Sequence, residues 1–138
     1  MTEMLIDTYA MELIREPKQF EIIVTTNLFG DILSDESAML VGGLGVAYSG
    51  NIGAQAAVFE PVHGSAPNLV GTSKANPAAA ILSAAMMLDH LGESKSEDRV
   101  RAAVSATVAT GGVTEDMGGN LSTQIMTQQI ICNVQKYR

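Results

Sequence analysis

The run from Ala78 to Leu88 is apolar nearly all round when wound as a helix, with only Ser83 to interrupt it. A helix at a protein surface shows an apolar stripe and a polar face, so one without a polar face belongs inside something larger. Its ends are marked in the sequence. Asn76 is a capping residue, Pro77 suits the first helical position and Gly92 closes the far end. The run is too short for a bilayer, and no stretch of about 18 apolar residues occurs elsewhere.

The core around such a helix has to be aliphatic, because the 138 residues are 46% hydrophobic but only 4% aromatic. That length suffices for a packed core, which argues against a small disulfide scaffold or a stacking platform for bases. Eight basic side chains face fifteen acidic ones, and the net charge of -7 excludes generic affinity for nucleic acid. A single cysteine, Cys132, can form no internal disulfide, so it reads as a small apolar residue on a helix in a reducing compartment. The first residues mix Glu3, Asp7 and Glu12 with apolar side chains, which is not the pattern of a signal peptide. A chain that opens directly on a helix suggests an upstream portion.

Helical spacing of Leu5, Ile6, Tyr9, Met11, Leu13 and Ile14 predicts a helix over 3–15, ended by Pro17. Phe20 to Thr25 is β-branched and apolar, the pattern of a strand buried on both faces. A turn at Asn27 to Gly30 then leads into a helix over 31–41. Five glycines between 42 and 57 predict a loop of unusual dihedrals, followed by a brief extended piece at Val58-Phe59. Beyond the apolar helix, 93–98 reads as a polar connector, 99–109 as a helix, 111–120 as a glycine-rich loop and 122–135 as a last helix with a stripe of Ile125, Met126, Gln129, Ile130 and Val134.

Asp31 and Asp35 stand four apart on a helix, so their side chains share a face about 5–6 Å apart. Two readings stay open on spacing alone: acids that complement a helix dipole, or a repelling pair that holds a hard cation such as Mg²⁺ or Mn²⁺. Glu60 to Asn68 collects a histidine, accessible backbone at Gly64, the Ser65 hydroxyl and an amide on one loop. That loop is either an ordinary turn or a cradle for a phosphate or ribose. Gly42-Gly43-Leu44-Gly45 follows a helix rather than a strand, so it lacks the usual geometry for holding an anion. His90 near a helix end and the Met86-Met87 pair read as structural. No dinucleotide-binding glycine fingerprint or Walker sequence is present.

Three motifs in order resemble the β-decarboxylating dehydrogenases, the isocitrate/isopropylmalate dehydrogenase family. They are Thr26 to Asp35, Glu60 to Pro67, and Ala75-Asn76-Pro77 leading into Ile81 to Leu88. The resemblance runs from about residue 4 to residue 134. It implies the C-terminal part of a two-domain, doubly wound α/β fold, with 1–42 in the smaller dimerising domain and 43–138 in the larger cofactor-binding domain.

By the same resemblance Asp31 and Asp35 are ligands of Mg²⁺ or Mn²⁺, and Asp7 reaches the neighbouring subunit's site in a homodimer or larger oligomer. Glu60, His63, Gly64, Ser65, Ala66, Asn68, Asn76 and Asp116 would contact the cofactor. Asn68 stands where NAD-preferring members carry an aspartate that repels a 2′-phosphate. No cation replaces it there, so NAD is expected, with NADP as the alternative.

The implied reaction is oxidative decarboxylation of a 2-hydroxy-3-carboxy acid. The look of Asn51-Ile52-Gly53 points to isocitrate or homoisocitrate, with 3-isopropylmalate as the alternative. The family's catalytic tyrosine and lysine match nothing here, so the chain alone is expected to be inactive. A reading of another class is a non-catalytic fragment or accessory subunit that keeps metal and nucleotide binding. The expected location is the cytoplasm, or the mitochondrial matrix if a targeting segment precedes Met1; neither nucleic acid nor membrane is an expected partner.

Overall fold

The computed structural model describes residues 2–136, and the chain divides into two compact units, Met1–Gly42 and Gly43–Arg138. In the first unit, helix α1 (Ile6–Arg15) and helix α2 (Asn27–Met39) flank a short 3₁₀ turn at Pro17–Gln19. Tyr9, Leu13 and Leu33 are its buried core, with Ile6, Ala10 and Phe20 packed around them. The Tyr9 and Phe20 rings meet at 4.7 Å with a 56° tilt, a favourable aromatic geometry. The Tyr9 hydroxyl is buried without a hydrogen-bond partner among the described residues.

Two expectations fail in this unit. The segment 20–25 is not a strand but irregular chain with a bend at Glu21, and Ile22 and Val24 are 88% and 84% exposed. Its composition is that of a buried strand, but no other described strand lies beside it to supply the ladder hydrogen bonds. Asn27 to Gly30, read as a turn, forms the first turn of α2, where Gly30 N–H donates to the Thr26 carbonyl at 2.8 Å.

The second unit begins with an antiparallel hairpin of β1 (Tyr48–Ile52) and β2 (Ala57–Pro61). Gly50 pairs with Phe59, and a Cβ there would meet the Phe59 ring at 3.1 Å and Met86 Cε at 3.2 Å. The glycine that suggested a loop is therefore a packing residue within a strand. Helix α3 (Ala78–His90) lies against both strands and against α4 (Ser94–Ala109), which packs in turn on α5 (Thr123–Lys136). Ala78, Leu82, Ala103, Val104, Met126 and Ile130 form the shared core. Fully buried Met126 and Ile130 each contribute about 1.5–3 kcal/mol by leaving water.

Helix α3 starts one residue later than expected, and Asn76 caps it from just outside: its Oδ1 accepts the Ala78 N–H at 2.9 Å. At the far end Gly92 (φ +83°) permits two closing bonds, Glu93 N–H to the Leu88 carbonyl and Gly92 N–H to Asp89. The helix is not covered all round. Ala78, Ala79, Leu82, Ser83 and Ala85 are buried, while Ala80, Ala84 and Met87 are exposed.

Residues 94–98, expected to be a connector, are the first turn of α4. Glu97 is buried there because Arg101 pairs with it, and the Arg101 guanidinium also bonds the Tyr48 hydroxyl and lies 5.2 Å over its ring. The Tyr48 bond first, then Glu97, raises the Arg101 pKa further above its ordinary value. Cys132 and Ile125 are on α5 but exposed rather than in the core, which Met126, Ile130 and Val134 supply from the facing side. His90 has a structural contact, its ring 5.4 Å from that of Phe59. No described helix is long and apolar enough to cross a membrane.

Candidate functional site

Four separate stretches of the second unit converge on a cavity of about 530 Å³. Leu44 and Gly45 come from the loop before β1, His63 to Ala66 with Leu69 and Val70 from the loop after β2, and Lys74, Ala75, Asn76 and Asp116 from the segments flanking α3 and following α4. The lining is largely apolar with a few polar residues among it, the usual make-up of a small-molecule pocket.

Each polar wall has a local cause. Asn76 is held by both ends of its amide: Oδ1 caps α3, and Nδ2 donates to Asp116 Oδ2 at 2.9 Å. Asp116 is fixed from below by the fully buried Thr114, whose hydroxyl donates to Oδ1 at 2.5 Å. Gly45 lies against this pair so closely that a Cβ would collide with Asp116 Oδ2 and stand 2.9 Å from Asn76 Cβ. The Gly45 carbonyl accepts the Ala79 N–H at 2.9 Å, which ties this wall to the start of α3.

A further part of the lining is the loop after β2. After β2 the chain leaves the hairpin, and the N–H groups of His63, Gly64, Ser65 and Ala66 donate no hydrogen bond to any described residue. Ala66 takes the left-handed conformation (φ 39°, ψ 63°) ahead of the 3₁₀ turn Pro67–Leu69. A run of free amides beside such a residue forms a concave donor surface suited to an anion. Nothing lies within 4 Å of a Cβ built on Gly64, so a ligand can approach the backbone there. His63 Nδ1 lies 2.9 Å from the Gly64 carbonyl oxygen, which leaves Nε2 as the free ring nitrogen.

Of the eight residues expected at the cofactor, His63, Gly64, Ser65, Ala66, Asn76 and Asp116 line this cavity. Glu60 and Asn68 do not. Glu60 is exposed on β2, its carbonyl accepting the Ser49 hydroxyl at 3.2 Å, and Asn68 is exposed in the 3₁₀ turn. Sequence reasoning missed Leu44, Gly45, Leu69, Val70, Lys74 and Ala75. The glycine triplet was set aside because it follows a helix, yet Gly45 serves through its lack of a side chain rather than through a helix N-terminus.

In the first unit Asp31 and Asp35 lie one turn apart on α2, both exposed, with Asn27 Nδ2 3.5 Å from Asp31 Oδ2. Asp7 is exposed at the start of α1 and accepts the Thr8 N–H at 2.7 Å. Among the described residues no three His, Cys, Asp or Glu side chains gather as a metal site. Within one copy the structure thus supplies two carboxylates on one helix face and leaves Asp7 apart from any such cluster. Two carboxylates suit Mg²⁺ or Mn²⁺, which fill their remaining positions with water or substrate oxygens.

The sequence matches the family model for isocitrate/isopropylmalate dehydrogenase over residues 1–134, and the chain belongs to that family. It is 55% identical over 129 residues to the isocitrate/homoisocitrate dehydrogenase of Thermus thermophilus, covering 94% of this chain and 39% of that one. It is 52% identical over 129 residues to the 3-isopropylmalate dehydrogenase of Methanothermobacter thermautotrophicus, with the same coverage. The crystal structure of isocitrate dehydrogenase from Methylococcus capsulatus matches with a TM-score of 0.91 at 44% identity, over 94% of this chain and 39% of that one. The chain therefore spans about two fifths of the length of these relatives, and its fold is a part of their α/β architecture.

Proposed function

We propose that this chain is the cofactor-holding part of a metal-dependent, NAD(P)-linked oxidative decarboxylase whose substrate is isocitrate or homoisocitrate. The observation that carries this is the cavity. His63 to Ala66, with its row of free amides, Asn76 ten residues on and Asp116 some forty residues further line one space. In this reading Gly64, Ser65 and Ala66 hold phosphate oxygens through their N–H groups. Asn76 and Asp116 present polar atoms toward the adenosine, while Leu44, Leu69 and Val70 exclude water from its faces.

Asp31 and Asp35, with Asp7 from a second copy, would hold the Mg²⁺ or Mn²⁺. That ion, when bound, supplies Lewis-acid polarisation of substrate oxygens. The division at Gly42 and Gly43 supports assigning 1–42 to a smaller dimerising domain and 43–138 to a larger cofactor domain. An exposed, unpaired Cys132 suits a reducing compartment, and the cytoplasm is the proposed location.

The test is a panel of isocitrate, homoisocitrate and 3-isopropylmalate with both nicotinamide cofactors, run on the complete protein with Mn²⁺. Reduction of cofactor with isocitrate or homoisocitrate supports the proposal, and preference for 3-isopropylmalate moves the substrate to the neighbouring branch. Mn²⁺ and nucleotide binding without turnover of any of these acids would replace the enzyme with an accessory subunit. Asp35→Ala is expected to weaken Mn²⁺ binding by tenfold or more, about 1.4 kcal/mol; unchanged affinity would remove the metal assignment.

A further inference from the structure

We propose that Thr114 is a positioning residue for the cavity: its hydroxyl holds the Asp116 carboxylate as a preset acceptor for a neutral hydroxyl or amino group of the bound nucleotide. This rests on the nucleotide reading of the cavity. Thr114 is not among the lining residues; it is fully buried beside the equally buried Met126, whose Sδ lies 4.0 Å from its Oγ1. Its hydroxyl donates to Asp116 Oδ1 at 2.5 Å, while Asn76 Nδ2 donates to Asp116 Oδ2 at 2.9 Å. Each carboxylate oxygen is thus held by one donor, although Asp116 itself is exposed. An ionised carboxylate accepts at about four lone-pair sites and donates at none, so capacity is left for a ligand donor.

The hydroxyl is the part of Thr114 that the local fold does not need. Thr114 precedes the 3₁₀ turn Glu115–Met117 without capping it through its side chain. Backbone alone closes this loop: the Thr114 carbonyl accepts the Met117 N–H at 3.1 Å and the Gly119 N–H at 3.0 Å. Removing the hydroxyl therefore leaves those bonds in place and releases one oxygen of Asp116. A side chain on an exposed turn otherwise samples several rotamers, and fixing one of them at the moment of binding costs affinity. Thr114 makes that payment during folding. The cavity then offers a nucleotide two kinds of partner, donors in the free amides of His63 to Ala66 and an already ordered acceptor at Asp116.

The test is calorimetric titration of the complete protein with 5′-AMP for wild type, Thr114→Val, Thr114→Ser, Asp116→Ala and the double variant Thr114→Val/Asp116→Ala. Valine keeps the shape of threonine and lacks its donor, and Thr114→Val is expected to weaken 5′-AMP by about three- to tenfold, the cost of ordering one side chain on binding. Thr114→Ser, which keeps the hydroxyl, should stay within about twofold of wild type. In the Asp116→Ala background the valine should add less than about twofold, because the residue through which Thr114 acts is gone. A merely structural Thr114 would instead give the same loss in both backgrounds, and that result overturns the proposal. Unchanged binding in Thr114→Val, or serine as damaging as valine, overturns it too. If Thr114→Val does not fold, Thr114→Ala takes its place with the same expectations. Failure of wild type to bind either 5′-AMP or NAD refutes the nucleotide reading of the cavity, and this proposal with it.

Discussion

Adding one methyl group at Gly45 is expected to injure both the fold and the site, while the same change at Gly64 is expected to spare the fold. Neither glycine has a positive φ, so alanine is not barred by backbone geometry at either position. At a compatible position Gly→Ala stabilises by about 0.4–1 kcal/mol, because the unfolded chain loses freedom. At Gly64 nothing opposes this gain, since the added Cβ meets nothing within 4 Å. At Gly45 the Cβ collides with Asp116 Oδ2 and lies 2.9 Å from Asn76 Cβ and 3.1 Å from Asn76 Nδ2. Relief requires the Asn76 to Asp116 bond to open or the Gly45 loop to move.

Overpacking costs about 1–3 kcal/mol. Losing the hydrogen bond to a charged group adds about 1.5–3 kcal/mol if the pair separates. Net of the entropic gain, Gly45→Ala is expected to destabilise by about 1.5–5.5 kcal/mol when the pair separates and to weaken nucleotide binding. Gly64→Ala should leave stability unchanged or raised, with any loss confined to binding. Urea unfolding followed by circular dichroism, with nucleotide titration alongside, reads both quantities. Equal stability of the two variants would refute the view that the Gly45 contact holds the cavity wall.

Burial, and secondarily the Glu36 carboxylate, raises the Tyr9 pKa above its ordinary value of 10.0, so the folded state keeps a proton that the unfolded chain gives up. Stability from this group is full below about pH 10 and falls as the pH rises beyond it. Tyr9→Phe is expected to flatten that alkaline decline and, by removing an unpartnered buried hydroxyl, to stabilise by up to about 1 kcal/mol at pH 7; destabilisation at neutral pH in urea melts would refute it. Thr107, fully buried, donates to the Ala103 carbonyl and accepts from Asn133 Nδ2 at 3.0 Å. Thr107→Val should therefore cost about 1–3 kcal/mol in chemical denaturation, with an unchanged midpoint as the contrary result. The 138-residue chain by itself is expected to self-associate through Ile22, Val24 and neighbouring exposed apolar groups, and Ile22→Lys with Val24→Lys should reduce this; a wild-type monomer at tens of micromolar in sedimentation would count against it.

Local signals served well wherever the structure is decided locally. Asn76 and Gly92 marked the ends of α3 because capping is a matter of one side chain and one backbone angle. The accessible backbone of the loop His63 to Ala66 could be read from the sequence because unbonded amides and an unhindered glycine depend on a few adjacent residues. Features that depend on partners distant in sequence were not legible. Ile22 to Val24 have strand composition, yet a strand needs a neighbour, and none is present among the described residues. Gly50 resembled a loop residue because its use, making room for Phe59 and Met86, appears only once the hairpin and α3 are stacked. Lys74 gave no signal of its own, since its place at the cavity depends on α5 gripping the backbone of Ser73 and Ala75.

The double engagement of Asn76 couples two properties that proteins often keep apart. One amide terminates the most deeply embedded helix of its unit and also faces the space where a nucleotide would lie. Drift at this position is therefore filtered by folding before it is filtered by affinity. A ligand that grips Asn76 should report its presence as a rise in melting temperature.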